Sequence, residues 1–142
     1  MKLSDSRYNE CMYFISAAFA RKVERLAVTS WKEVNLSPSI AYLLMLVIEE
    51  PGCQPTYIGH HLHLKPSTVT RFVEKLEERK LIVRTTEGKL TNIYPTPKGK
   101  EMYPELKKCL QDFMSRYDKL IEKNEATKLL DTMRKVADKI DH

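Results

Sequence analysis

The sequence predicts a mostly α-helical fold with one small β-hairpin. Apolar residues recur at helical spacing over most of the chain. Ser37-Pro38 and Thr96-Pro97 are typical helix starts, with a capping hydroxyl followed by a proline that suits the first helical position. Two short β-type runs flank Glu87-Gly88-Lys89, where the glycine provides the positive φ that a hairpin turn requires. Together these signals favour helices around a single hairpin.

The first half of the chain predicts four helices. The first covers about residues 5–29, and the second begins at Pro38 and ends at the Pro51-Gly52 break. The third and fourth cover about residues 55–63 and 66–80. The first carries an apolar stripe wider than one small partner helix would cover. The last two are joined by the tight link Leu64-Lys65, and Gly59 allows close approach between them.

The second half predicts the hairpin and two further helices. The strands cover 82–85 and 90–95. A long helix then runs from Pro97 to about Lys123, with a kink at Pro104. A last helix, capped by Asn124, covers 125–140.

The positive charge is concentrated in one quarter of the chain. Residues 65–100 contain nine Lys or Arg and four acidic residues, an excess equal to the formal net charge of +5 of the whole chain. Residues 1–64 carry six charges of each sign and residues 101–142 carry nine of each, so both flanks are neutral. A confined basic excess is typical of a site that binds a polyanion, although a solvated helix face is the alternative interpretation.

Composition and motifs narrow the class of protein. The longest apolar stretch, residues 40–48, is too short to cross a bilayer, and the first residues lack the apolar core of a signal peptide. We therefore expect a cytoplasmic protein. Its three cysteines are scattered and form neither a disulfide framework nor a CxxC pair. No Gly-rich phosphate loop, GxSxG or HExxH motif is present, so we expect neither an enzyme nor a cofactor.

The order helix, short helix, tight turn, helix, hairpin is that of a winged helix-turn-helix. In the helix from Pro66, an inner apolar face of Val69, Phe72, Val73 and Leu76 would fix the helix in place. The outer face predicts the DNA contacts, which are Ser67, Thr68, Thr70, Arg71 and Lys75. The backbone N–H groups of Ser67 and Thr68 would add an anion-binding helix end.

The run from Leu64 to Arg84 resembles the recognition helix and first wing strand of the MarR family of bacterial regulators. Tyr94 to Gly99 resembles that family's second wing strand and the start of its next helix. The resemblance implies a single domain over 1–142, with a DNA-binding lobe at about 36–96 and dimerisation helices at 1–30 and 97–142. It implies a homodimer on a near-palindromic operator in double-stranded DNA. Such a protein is usually a repressor that a small molecule or an oxidant releases.

The wing departs from the family pattern. Where family members commonly place an Asp-x-Arg element that reaches the minor groove, this chain has a short turn with Lys89. A lysine is a point charge without the planar fork of arginine. Arg84, at the base of the wing, matches a common family arginine, so the wing contacts that we predict are Arg84 and Lys89.

Four further features leave alternatives open. Cys11 resembles the reactive cysteine of peroxide-sensing family members, but a buried, unreactive small side chain is the interpretation that we favour. Six aromatic residues suggest a crevice for an aromatic or phenolic effector, or ordinary core packing: Tyr8, Tyr13, Phe14, Phe19, Trp31 and Tyr42. His60 and His63 share helical spacing without a third ligand, so we expect no metal site. A winged helix that binds protein instead of DNA is the competing function.

Overall fold

The structure, a computed structural model, describes residues 1–140. The mostly helical architecture with one hairpin is confirmed. Its elements are α1 Met12–Trp31, α2 Pro38–Glu49, α3 Pro55–Leu62, α4 Pro66–Glu78, β1 Ile82–Glu87, β2 Leu90–Pro95, α5 Pro97–Glu101, α6 Tyr103–Asp118 and α7 Lys123–Ile140. Two short 3-10 turns, Leu3–Asp5 and Lys32–Val34, flank α1. No helix within residues 1–140 is long and apolar enough to cross a membrane.

The N-terminal segment corrects the predicted helix start near residue 5. After the 3-10 turn, the chain makes a further turn before α1 begins at Met12, with Cys11 as the preceding residue. The Asn9 side-chain amide donates to the Ser4 carbonyl oxygen at 2.8 Å, and the Tyr8 amide donates to the Ser6 hydroxyl at 3.2 Å. Such local side-chain bonds compete with the helical backbone pattern, which is why helical spacing alone misplaced this start.

Helix α2 lies at the centre of the hydrophobic core. Its Leu43, Leu44 and Val47 side chains are fully buried. Around them pack Trp31 from the end of α1 and Leu106 from α6, together with side chains of α3 and α4. The predicted cap is confirmed, since the amide of the third helical residue donates to the Ser37 hydroxyl at 3.4 Å. A single core therefore fixes α2, α3 and α4 against α1 and α6.

The turn between α3 and α4 is tight because two positions allow it. His63 ends α3 in the left-handed conformation, with φ of 53°. At Gly59, an added Cβ would lie 3.1 Å from the Leu64 carbonyl oxygen and 3.5 Å from a methyl group of Val69. The absence of a side chain there lets the two helices approach closely, as the sequence suggested.

The hairpin extends away from the core on two buried anchors, Ile82 and Ile93. Its register runs from Ile82 opposite Pro95 to Glu87 opposite Leu90, so the turn contains only Gly88 and Lys89. Gly88 has φ of +66° and Lys89 does not have positive φ, the pattern of a type II′ turn. Strand β1 continues past the predicted end at residue 85. The Gly52 and Cys53 backbones hydrogen-bond to Ile93 and extend the base of the sheet.

Proline 104 divides the predicted long helix in two. Helix α5 ends at Glu101, and α6 begins at Tyr103 with Pro104 in its first turn, where a missing N–H costs nothing. The prediction that this helix reaches Lys123 is also wrong, because α6 ends at Asp118. Helix α7 begins at Lys123, so Asn124 lies inside its first turn and is not the cap.

No side chain of helix α7 is fully buried by the rest of the described chain. Its predicted apolar stripe is present and faces outward, with exposed fractions from 41% to 75%: Leu129, Leu130, Met133, Val136 and Ile140. Met12 and Tyr13 at the start of α1 are also largely exposed. A large apolar surface therefore remains uncovered at the two ends of the chain.

Candidate nucleic-acid interface

The inner face of α4 fixes the rotation of the helix. Val69, Val73 and Leu76 are buried, whereas Phe72 is only partly buried while still packing on the core. Because this apolar face is held, the opposite face must point to solvent. That exposed face carries Ser67, Thr70, Arg71, Glu74, Lys75 and Glu78. The inner face predicted from the sequence is therefore confirmed.

Two threonines of the predicted site are less available than the sequence suggested. Thr68 is half-buried, and its backbone amide donates to the Lys65 carbonyl oxygen at 3.0 Å. This amide is therefore not free to bind an anion, and the prediction that it would do so is wrong. The Thr70 hydroxyl donates to the Pro66 carbonyl oxygen at 3.0 Å. The hydroxyl oxygen of Thr70 can still accept a hydrogen bond, but its proton is already donated to Pro66 and cannot be donated to DNA.

Arg71 lies beside an aromatic ring. Its guanidinium carbon is 5.4 Å from the centroid of the Phe72 ring, within the range of a cation–π contact. Because Phe72 is anchored in the core, this contact restrains a long and otherwise mobile side chain near the start of the exposed face. The arginine is therefore partly oriented while its charged group remains exposed to solvent.

Arg84 joins the wing to α4. One Nη atom lies 2.7 Å from a carboxylate oxygen of Glu77, and both side chains are partly exposed. A guanidinium has five N–H donors, so a single carboxylate does not exhaust it. The ion pair fixes the base of the hairpin relative to α4. Lys89 lies at the exposed tip of the same hairpin.

Two of the nine basic residues hold the lobe together. The Arg79 guanidinium donates to the Asn35 carbonyl oxygen at 2.6 Å and to the Val34 carbonyl oxygen at 3.4 Å. The Lys98 ammonium donates to the Arg79 carbonyl oxygen at 3.2 Å. The sequence did not reveal these contacts, because the bonded residues stand far apart along the chain. These two residues keep their charge, but their side chains are less free to contact phosphates than a count of basic residues implies.

The basic segment presents exposed charge on two neighbouring elements. Lys65 precedes α4, Arg71 and Lys75 lie on it, and Lys89 is at the wing tip, all exposed. Within residues 1–140, none of these four cations forms an ion pair with an acidic side chain. Cations without partners on a recognition helix and a wing can bind the phosphates of a duplex.

The three neighbouring histidines do not form a metal centre in the part of the chain that the structure describes. His60, His61 and His63 are all exposed, and the His61 ring packs against that of Tyr57 with centroids 4.2 Å apart. Among residues 1–140, no group of three His, Cys, Asp or Glu side chains is placed to hold a metal ion.

A cleft of about 380 Å³ opens between α1 and α2, with α6 and α7 contributing to its wall. Trp31 and Tyr42 meet edge to face in it, with centroids 5.7 Å apart, and burial raises the pKa of Tyr42. Its other large lining side chains are Phe19, Phe113 and Met133. Three of the six aromatic residues predicted to form a crevice therefore lie here.

The other predicted aromatic residues lie outside this cleft. Tyr8 and Phe14 pack on each other with centroids 5.7 Å apart, and Tyr13 is 82% exposed. The Tyr13 side chain thus belongs to the uncovered apolar surface.

The three cysteines differ in exposure. Cys11 is exposed directly before α1, which is not the buried position that its alternative interpretation required. Cys53 is half-buried and Cys109 is buried, and burial raises the pKa of both thiols. Oxidants therefore reach Cys11 most readily.

The arrangement of α3, α4 and the hairpin defines a winged helix-turn-helix protein. Residues 36–87 match the model of the MarR family, a span that includes α2, α3, α4 and the first strand of the wing. The winged-helix lobe of this chain is therefore similar to that of the MarR family, as the sequence indicated.

Relatives and solved structures agree with this assignment. The HTH-type transcriptional regulator YybA of Bacillus subtilis (strain 168) is 25% identical over 92 residues, covering 63% of this chain and 61% of YybA, so the match spans about three fifths of that relative. The HTH-type transcriptional repressor MdtR of the same organism is 23% identical over 120 residues, or 82% of this chain and 77% of MdtR.

The fold is that of solved transcriptional regulators. The transcriptional repressor CouR of Rhodococcus jostii RHA1, bound to a 23-mer DNA duplex, superposes with a TM-score of 0.84 at 21% identity, over 96% of this chain and 98% of that one. CouR bound to p-coumaroyl-CoA gives the same TM-score at 22% identity, with the same coverage. These similarities establish the winged-helix fold.

Proposed function

We propose that this chain is a sequence-specific DNA-binding transcriptional repressor. The exposed face of α4 carries the proposal, because short hydroxyl side chains and Arg71 lie at its N-terminal end, where recognition helices contact base edges. Arg71 and the Ser67 hydroxyl would contact bases, with Thr68 and Thr70 beside them. Lys75, Arg84 and Lys89 would contact phosphates.

The repressor acts as a homodimer in this proposal. The exposed apolar stripe of α7 and the exposed start of α1 are larger than a monomer ordinarily leaves uncovered, and a second copy of the chain would bury both. The lobe over about 36–96 would read DNA, and 1–30 with 97–142 would form the interface, of which residues 141 and 142 lie outside the described part. Twofold symmetry then requires a near-palindromic operator.

Release from DNA would follow binding of a small aromatic molecule in the cleft between α1 and α2. The cleft touches both α1, on the dimerisation side, and α2, at the centre of the DNA-binding lobe. A ligand there can favour one of two arrangements of these parts, which is the condition for shifting a population. CouR, with the same fold, has been solved both with DNA and with p-coumaroyl-CoA, and this precedent supports the proposal.

An oxidant is the alternative signal, with Cys11 as its target. The thiol is exposed, and it directly precedes a helix of the proposed interface. If this route operates, peroxide will release the wild-type protein from its operator and leave Cys11→Ser bound. We expect wild type and variant to behave alike, because no cation lies beside Cys11 in sequence except Arg7, which Glu10 opposes. Release of the wild type alone would make the thiol the switch.

Selection from a random duplex pool, followed by mobility shift, tests DNA binding. We expect a near-palindromic motif to be enriched, and the Arg71→Ala/Lys75→Ala variant to lose it. Lys128→Ala, which removes an exposed lysine from α7, serves as the matched control and retains binding. Failure to enrich any duplex would favour the competing function, a winged helix that binds protein.

A further inference from the structure

We infer that the cleft between α1 and α2 selects an aromatic organic cation, such as a protonated amine or a quaternary ammonium ion, over an organic acid. The inference rests on the proposal that this cleft is the effector site. It also narrows the expectation of an aromatic or phenolic effector to one that carries a positive charge.

The charge of the cleft wall is the first argument. Glu24 is the only charged side chain among the residues that line the cleft, and no Lys, Arg or His lines it anywhere within residues 1–140. Three basic residues of α1 lie close in sequence but are not among the lining residues: Arg21, Lys22 and Arg25. Arg21, three residues before Glu24, adjoins it on the helix surface without forming an ion pair with it. The one formal charge that a ligand meets is therefore negative.

The position of Glu24 on α1 makes that charge accessible to a ligand. Ala20, Glu24 and Ala27 follow one another at helical spacing along the same wall, and the two alanines leave open space on either side of the carboxylate. Glu24 is exposed, and within residues 1–140 no basic side chain pairs with it. A ligand cation can therefore be its partner.

The aromatic lining favours the same ligand class. Phe19, Trp31 and Phe113 are among the residues that line the cleft, and the face of an aromatic ring carries partial negative charge that attracts cations. Tyr42 adds a hydroxyl that stays protonated, because burial raises its pKa further above neutrality. Rings around one carboxylate form the arrangement by which proteins commonly recognise quaternary ammonium groups.

An organic acid would bind at a disadvantage. Its carboxylate would lose water in a mostly apolar cleft without gaining a cationic partner, and it would be repelled by Glu24. Hydroxyls of Ser16, Ser39 and Tyr42 can donate to it, but they carry no charge to offset the repulsion. The wall thus disfavours acids as well as attracting cations.

Trp31 provides a direct assay, since it is the only tryptophan of the chain and lies in the cleft wall. Its fluorescence would be titrated with three probes of similar size, namely benzyltrimethylammonium, benzyl alcohol and phenylacetate. We expect the cation to bind most tightly. Glu24→Gln should weaken the cation about three- to tenfold and leave benzyl alcohol unchanged within about twofold, the range of a partly exposed cation site.

Glu101→Gln is the matched control, because it removes an exposed carboxylate from α5 outside the cleft and should change no probe. Tighter binding of phenylacetate than of the cation would overturn the inference, as would an unchanged cation affinity in Glu24→Gln or no fluorescence change with any probe. Operator binding is measured on the same samples without probe. Its loss would overturn the proposed function, whereas intact operator binding with an acid preference would overturn only the ligand class.

Discussion

Arg71 is the residue at which the contribution of hydrogen bonds to bases can be distinguished from that of attraction to phosphates. Arginine can donate two hydrogen bonds to one guanine, and the Phe72 ring already restrains this side chain. We expect Arg71→Ala to weaken operator binding by about 1–3 kcal/mol and binding to random DNA much less. Fluorescence anisotropy with both duplexes measures the difference.

Arg71→Lys is the control for that experiment, because it retains the charge and removes the planar fork. It should recover binding to random DNA but not the preference for the operator. Equal losses on both duplexes in Arg71→Ala would instead make Arg71 a phosphate contact.

At the scale of single residues, the sequence predicted well which side chains are exposed. It did not predict the hydrogen bonds and ion pairs that those side chains form. The outer face of α4 followed from the helical period of Val69, Val73 and Leu76. The pair between Glu77 and Arg84 crosses from a helix to a strand, and the Arg79 bond to Asn35 joins residues 44 positions apart. No local pattern reports such contacts, because they depend on how the elements pack.

The junction between β1 and α5 determines how the wing is attached to the helices behind it. The Thr96 hydroxyl donates to the Lys80 carbonyl oxygen at 2.7 Å and accepts from the Gly99 amide at 3.0 Å. The Thr96 amide donates to the Leu81 carbonyl oxygen at 3.0 Å. One threonine therefore caps α5 and connects it to the residues that precede β1. The Thr96-Pro97 sequence predicted the cap but not the connection.

Gly99 tests this junction. It is buried, and an added Cβ would overlap the Leu81 carbonyl oxygen, which is backbone and cannot turn aside. We expect Gly99→Ala to lower the free energy of unfolding by about 1–3 kcal/mol, the usual range for overpacking. Urea denaturation measures this change. Lys100→Ala, at the exposed neighbouring position, should differ from wild type by less than about 0.5 kcal/mol. An unchanged midpoint in Gly99→Ala would show that the junction tolerates a side chain.

Element boundaries were predictable where a single strong signal controlled them. Ser37-Pro38 and Thr96-Pro97 begin helices as expected, since capping and proline geometry act locally. The prediction that Asn124 caps the last helix is wrong because α7 begins one residue earlier, at Lys123. The predicted kink at Pro104 is instead a break between two helices, because proline also fits the first turn of a new helix. In these cases two local rules competed, and the sequence alone did not decide between them.

For the whole molecule, the charge distribution predicts a steep salt dependence. Each phosphate contact releases counterions, so log K falls by about 0.9 per contact as log salt rises. Lys75 is exposed and without an ion pair in the part of the chain described here. Lys75→Ala should weaken operator and random DNA alike and reduce the slope by about 0.9 per protomer contact.

The matched control for the salt series is again Lys128→Ala, which leaves the basic segment intact and should keep the wild-type slope. Arg79 and Lys98 are poor choices for this series, because their side chains bond backbone carbonyls and their loss would disturb the lobe. Binding that is insensitive to salt in the wild type would mean that the basic segment does not contact the phosphates.

The exposed stripe of α7 makes assembly the decisive property of the whole molecule. A helix with no fully buried side chain gains little stability from packing within its own chain, so we expect a partner surface to cover its apolar face. Sedimentation at micromolar concentration should give about twice the 16.6 kDa of one chain. Val136→Glu would place a charge in that face, and we expect it to yield monomer, whereas Lys128→Glu, on another side of α7, should remain dimeric.

The consequence for DNA follows from symmetry. Two recognition helices held at a fixed spacing bind two half-sites with an avidity that neither lobe has alone, so separating them should weaken operator binding by about a hundredfold. The lobe itself contains its own packed α2, α3 and α4, and Val136→Glu should therefore keep residual salt-dependent binding to random DNA. A stable wild-type monomer that still binds a palindromic operator tightly would contradict both the proposed dimer and its symmetric binding to two half-sites.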